Sequence, residues 1–145
     1  MLTIVPNIGV RISGIQSLET AKVAIKNRAG IAFVFDQKSS KYIDPLKASK
    51  ISEVLSKDVS TVGIFTDPSD EELKYCLNTI DLTRIQLNGN ESKDRVEFIK
   101  LWFSYYPLEA HLEAGQSLPP KYKKTRRFKR SIIKAISVNT KKDLE

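Results

Sequence analysis

Short apolar runs alternate along the chain with stretches of helical periodicity, and this rhythm dictates a parallel α/β chain. The first run is Gly9–Ser13, where Val10 and Ile12 flank Arg11, and Gly14 breaks it. Ser17 can N-cap a helix to about Arg28, with Leu18, Ala21 and Ile25 on one face. Gly30 stands where a left-handed turn would close that helix. Ile31–Phe35 is apolar throughout, the pattern of a strand covered on both faces. Asp44-Pro45 starts a second helix, buried through Ile51, Val54 and Leu55 and ending near Lys57. Thr61–Phe65 reads as the third strand, and Asp67-Pro68 repeats the helix-start signal. Asp70, Glu71 and Glu72 then place negative charge in a first turn, where the helix dipole favours it. Leu73, Cys76 and Leu77 form the inner face of that helix. Arg84–Leu87 is the fourth strand, and Asn88-Gly89-Asn90 is a turn signal. A helix from about Ser92 to Phe103 buries Val96, Ile99 and Phe103. A fifth strand, Ile132–Val138, and a helix start at Lys141–Glu145 close the pattern.

Strand, helix, strand, repeated, means parallel strands joined by right-handed helical crossovers. Periodicity leaves two architectures open: an open doubly wound sheet, or part of a barrel. Length leans toward the open sheet, since a complete barrel needs about 250 residues and this chain has 145. The 41% hydrophobic content excludes a chain disordered by composition. Cys76 is the only cysteine, so an internal disulfide and a cysteine-based zinc site are excluded. The longest apolar run is far short of the roughly 20 residues a membrane helix needs, and Met1–Val10 lacks the charged start of a signal peptide. The expectation is a soluble cytoplasmic protein with no membrane partner.

The net charge of +7 resides in one place. Lys121, Lys123, Lys124, Arg126, Arg127, Lys129 and Arg130 follow one another without an acid between them. Removing these seven from 24 basic residues leaves 17, equal to the 17 acidic ones. They belong to an irregular insert at about 104–131 that also holds Pro107, Gly115, Pro119 and Pro120. The chain is therefore expected to form a single domain, 1–145, with that insert. Tyr122 and Phe128 interleave with the charges, a composition that suits salt-sensitive RNA or polyanion binding. A solvated loop is the favoured reading of such a run. His111, the only histidine, has no second ligand nearby, so no metal is expected.

Six motifs decide between the architectures. Arg11-Ile12-Ser13-Gly14-Ile15 resembles the Lys-Ile-Cys-Gly-Ile/Leu of phosphoribosylanthranilate isomerases. Ile31-Ala32-Phe33-Val34-Phe35 is similar to their Gly-Phe-Val-Phe strand, and Ser39-Ser40-Lys41-Tyr42-Ile43 to their Ser-Pro-Arg-Tyr-Val loop. Val62-Gly63-Ile64-Phe65 resembles Val-Gly-Val-Phe. Ile85-Gln86-Leu87-Asn88-Gly89-Asn90-Glu91 resembles Val-Gln-Leu-His-Gly-Asp/Asn-Glu, and Ile132-Ile133-Lys134-Ala135-Ile136 resembles Val-Ile-Lys-Ala-Ile. Each alone is weak, but six in order at strand ends are specific.

The resemblance implies a partial (β/α)8 TIM barrel, strands one to five, with the later strands absent from the sequence. It also implies a reaction, the Amadori rearrangement of N-(5′-phosphoribosyl)anthranilate in tryptophan biosynthesis, without metal or organic cofactor. In the family a cysteine of the first motif is the base, and an aspartate on strand six is the acid. The loop arginine holds the anthranilate carboxylate, and glycine-rich turns after strands seven and eight cradle the phosphate. Here the base position is Ser13, the carboxylate-holding position is Lys41, and the histidine of the fourth motif is Asn88. A serine hydroxyl needs a neighbouring base to act as a thiolate does. Lysine keeps the charge but loses the planar two-pronged grip of arginine. Asparagine hydrogen-bonds but does not titrate. Each positioned acid or base contributes about 10²–10⁴-fold, so the chain is expected to be truncated and inactive alone. Its expected partners are phosphoribosylated anthranilate, and a complementing C-terminal half or a second copy to cover the open strand edges.

Overall fold

The computed structural model describes residues 9–56, 58–105 and 131–136. Five strands, β1 (Arg11–Ser13), β2 (Gly30–Val34), β3 (Thr61–Phe65), β4 (Arg84–Leu87) and β5 (Ser131–Lys134), form one sheet. Helices α1 (Leu18–Lys26), α2 (Pro45–Glu53), α3 (Asp70–Thr79) and α4 (Lys93–Tyr105) lie between them in the chain. Every neighbouring pair is parallel, and the strand order is β1-β2-β3-β4-β5. That order closes the question periodicity left open. A doubly wound sheet reverses direction partway, whereas an unreversed series of right-handed crossovers puts every helix on the same face.

The burial pattern agrees. Ile31, Phe33 and Phe35, with Phe65, Ile85 and Leu87, join the main core with Ala21, Ala48, Leu73, Cys76, Ile99 and Phe103 of the helices. The alternate residues Ala32, Val62 and Ile64, with Val34 against them, form a separate small cluster on the opposite face. This second face is concave. Arg11 Nη2 donates to Gln86 Oε1 at 2.6 Å, joining β1 to β4. In a flat sheet those strands would stand three spacings, roughly 14 Å, apart, so the sheet curls. Packing on the helical side is tight at Gly63, where a Cβ would lie 2.6 Å from Leu82 Cδ1 and 3.0 Å from the Phe35 and Phe65 rings.

Local signals hold with four corrections. Ser17 caps α1 and accepts from Thr20 N, and Asp44 caps α2 and accepts from Leu46 N. The left-handed residue after α1 is Arg28, at φ 59°, while Gly30 belongs to β2. Val54 is 61% exposed, because α2 ends at Glu53 and its core side is Pro45, Ala48 and Ile51. Asp67-Pro68 does not start α3. Ser69 does, in a reciprocal capping box with Glu72, and Asp67 instead turns back at φ 44°. The fifth strand stops at Lys134, short of the expected Val138, and Ile136 is exposed; Ser137, Val138 and the helix start at Lys141–Glu145 lie outside the described residues. No helix among the described residues is long and apolar enough to cross a membrane.

Candidate functional site

Parallel barrel-type sheets gather their chemistry at the C-terminal ends of the strands, where loops meet around the concave face. Ser13 ends β1 and is exposed. Residues two apart on a strand share a face, so Ser13 lies on the same side as Arg11, over the concavity. Among the described residues, no carboxylate is hydrogen-bonded to the Ser13 hydroxyl. Gly14 follows at φ 80° and sends its N–H to Ala32 O at 3.0 Å.

Lys41 belongs to the loop after β2, and that loop folds back over the end of β1. Gln16 Nε2 donates to Tyr42 O at 3.0 Å and Ser40 O at 3.3 Å. Ile43 N donates to Val34 O at 3.0 Å, and Lys41 N to Ser39 Oγ at 3.1 Å. The aliphatic stem of Lys41 crosses Gly14 so closely that a Cβ there would meet Lys41 Cγ at 3.2 Å. The structure therefore packs the stem of Lys41 against Gly14, the residue after Ser13, and the absence of a side chain at Gly14 permits it.

Asn88 follows β4 and is anchored by its N–H to Phe65 O at 2.9 Å. Its Oδ1 accepts from Gln86 Nε2 at 2.9 Å, and Gln86 Oε1 accepts from Arg11. The polar chain Asn88–Gln86–Arg11 thus runs across the concave face toward the strand that carries Ser13. Arg11 and Lys41 give this mouth a positive character that suits an anionic ligand.

Four residues beyond the sequence-derived set build this region. Arg11 and Gln86 link the strands across the concavity. Glu91 and Lys134 tie the loops behind Asn88. Lys134 Nζ contacts Glu91 Oε1 at 2.9 Å, and the Glu91 side chain is only 1% exposed. The signal for Arg11 and Gln86 was present, since each lies on a strand two residues before a candidate position. Glu91 and Lys134 are 43 residues apart, and no local pattern pairs them. Lys121, Lys123, Lys124, Arg126, Arg127, Lys129, Arg130 and His111 all lie outside the described residues.

The comparisons with known proteins agree with one another. A family model described as N-(5′-phosphoribosyl)anthranilate isomerase matches residues 10–139. A curated N-(5′-phosphoribosyl)anthranilate isomerase from Hahella chejuensis is 41% identical over 86 residues, covering 58% of this chain and 40% of the relative. The crystal structure of phosphoribosyl anthranilate isomerase from Thermotoga maritima is similar with a TM-score of 0.69 at 26% identity, over 94% of this chain and 54% of that one. A phosphoribosyl anthranilate isomerase solved in complex with reduced 1-(o-carboxyphenylamino)-1-deoxyribulose 5-phosphate has a TM-score of 0.61 at 33% identity, over 63% of this chain and 48% of that one. The chain spans about half the length of the relatives it matches.

Proposed function

Because the chain belongs to the N-(5′-phosphoribosyl)anthranilate isomerase family, we propose that it supplies β1–β5 of such a barrel and that its 145 residues alone turn over little or none of the family's substrate. The proposed reaction is the Amadori rearrangement of N-(5′-phosphoribosyl)anthranilate in tryptophan biosynthesis, in the cytoplasm. Lys41 is the proposed contact for the anthranilate carboxylate, and its place over the Ser13–Gly14 turn supports that role. Asn88 lines the same mouth as a neutral hydrogen-bonding group. The liganded relative binds an anion of this class.

One observation carries the reading of inactivity. Ser13, at the proposed base position, has no carboxylate hydrogen-bonded to it among the described residues. A hydroxyl in that setting does not ionise near neutral pH, whereas a thiol with reference pKa of about 8.5 does so far more readily. The β1 and β5 edges are proposed to be covered by further polypeptide that completes the barrel, a complementing segment or a second copy.

The test is fluorimetric. Purified chain is mixed with N-(5′-phosphoribosyl)anthranilate, and the loss of substrate fluorescence is followed. The expected rate equals that in buffer and is the same for Ser13→Ala. Turnover clearly above buffer, abolished by Ser13→Ala, contradicts the proposal.

A further inference from the structure

Behind Asn88, one buried carboxylate gathers three elements. Glu91 Oε2 accepts from Asp67 N at 2.8 Å, in the loop after β3, and from Gly89 N at 3.2 Å. Glu91 Oε1 accepts from Lys134 Nζ at 2.9 Å, at the end of β5. An ammonium has three donors, and Lys134 commits all of them: the others go to Gly89 O at 2.6 Å and Ala135 O at 3.0 Å. Gly89 is thus held at both ends of its residue, its N–H by Glu91 and its C=O by Lys134. Its Cα is pressed against Asp67, since a Cβ there would lie 2.5 Å from the Asp67 carboxylate. Asp67 Oδ1 in turn accepts from Asn90 N at 2.9 Å.

We propose that Glu91 and Lys134 form a positioning pair: together they fix the Gly89 peptide, and so set Asn88 at the mouth of the concave face only when β5 is docked. Lys134 is the last residue of β5, and the next amide, Ala135 N, pairs with Leu87 O at 2.9 Å. Strand docking and the conformation of the Asn88 turn are therefore one event. A buried carboxylate left without its cation must be solvated by moving, and the group it would move is the turn that presents Asn88. The inference rests on the functional reading only in treating Asn88 as ligand-facing.

The electrostatics accompany the geometry. Burial raises the Glu91 carboxyl, but the Lys134 ammonium and the backbone N–H groups, Asp67 first, outweigh it, and its pKa lies below the ordinary value. Among the described residues, the charged groups on the adjoining segments are Asp67, on the loop after β3, Lys93 and Asp94 at the start of α4, and the Arg95–Asp70 bridge joining α4 to α3 at 2.6 Å. The Arg95 guanidinium also donates to Pro68 O at 2.9 Å.

The test uses the full ¹⁵N-labelled chain without ligand, so a chain that binds nothing still reports on the pair. Backbone amide shifts of Asp67 and Gly89 are followed from pH 7 to pH 3. Both are expected to share one transition with a midpoint below the ordinary glutamate value of about 4.3. Glu91→Gln removes that transition. Lys134→Met raises its midpoint and displaces the Asn88 resonances, and Lys134→Arg, which keeps the charge, moves both less. Asp67 and Gly89 titrating with different midpoints overturns the proposal, as does Lys134→Met leaving the midpoint and the Asn88 resonances in place. Where Lys134→Met does not fold, the wild-type titration decides: the absence of a shared low midpoint overturns the pair.

Discussion

Ser13 and Cys76 show that reactivity needs the right residue type and the right position together. Ser13 stands exposed at the end of β1, the position proposed for the family's base, and the chain's one thiol is elsewhere. Cys76 is 1% exposed in the helical layer, and burial, with Asp44 adding to it, pushes its pKa well up. The thiolate is the reactive form, so native Cys76 is predicted to react with a disulfide reagent far more slowly than in denaturant. Fast labelling of the native protein at neutral pH would contradict this burial. Ser13, Lys41 and Asn88 could be put forward from the sequence because each stands inside a short local motif. Glu91 and Lys134 were not, although both stand in quoted motifs, because their role exists only once β5 lies beside β4. The same holds for the Arg11–Gln86 link, 75 residues long in sequence and 2.6 Å in space.

At the scale of elements, the third crossover shows where sequence signals compete. Asp67-Pro68 and Ser69 are both helix-start signals within three residues. Ser69 wins because Glu72 stands at the third helical position, so two orphan N–H groups are satisfied reciprocally: Glu72 N by Ser69 Oγ at 3.1 Å and Ser69 N by Glu72 Oε2 at 2.8 Å. Asp67 is thereby released to take a positive φ and brace the Asn90 amide. Ser69→Ala is predicted to lower stability by about 1 kcal/mol, the usual worth of such a cap, read as a shift in urea midpoint at unchanged slope. A variant with an unchanged midpoint would mean that α3 is capped otherwise. The strand and helix types were all legible from periodicity. Their ends were not, because Arg28, Val54 and Asp67 are fixed by which neighbour satisfies a backbone group or covers a side chain.

At the scale of the whole molecule, the strand order carries information that periodicity lacks. Alternation of strands and helices fits an open sheet or a barrel equally, and only the unreversed order, with helices on one face and a small apolar cluster on the other, separates them. Among the described residues, β1 and β5 are the edges of the sheet, and Ile12 on β1 is 40% exposed. Edges of this kind recruit further strands, which is why completion of the barrel belongs to the proposed function. These residues have the fold of the first part of the isomerase barrel, and Ser13 is the proposed chemical lesion within it. A fusion of residues 9–136 to the part of the Thermotoga maritima isomerase beyond the matched 54% tests both, by the initial rate of N-(5′-phosphoribosyl)anthranilate consumption with Ser13 and with Ser13→Cys. The expected result is no turnover above buffer with Ser13 and a rate about 10²–10⁴-fold above that baseline with cysteine; equal turnover by the two fusions would contradict the proposed lesion.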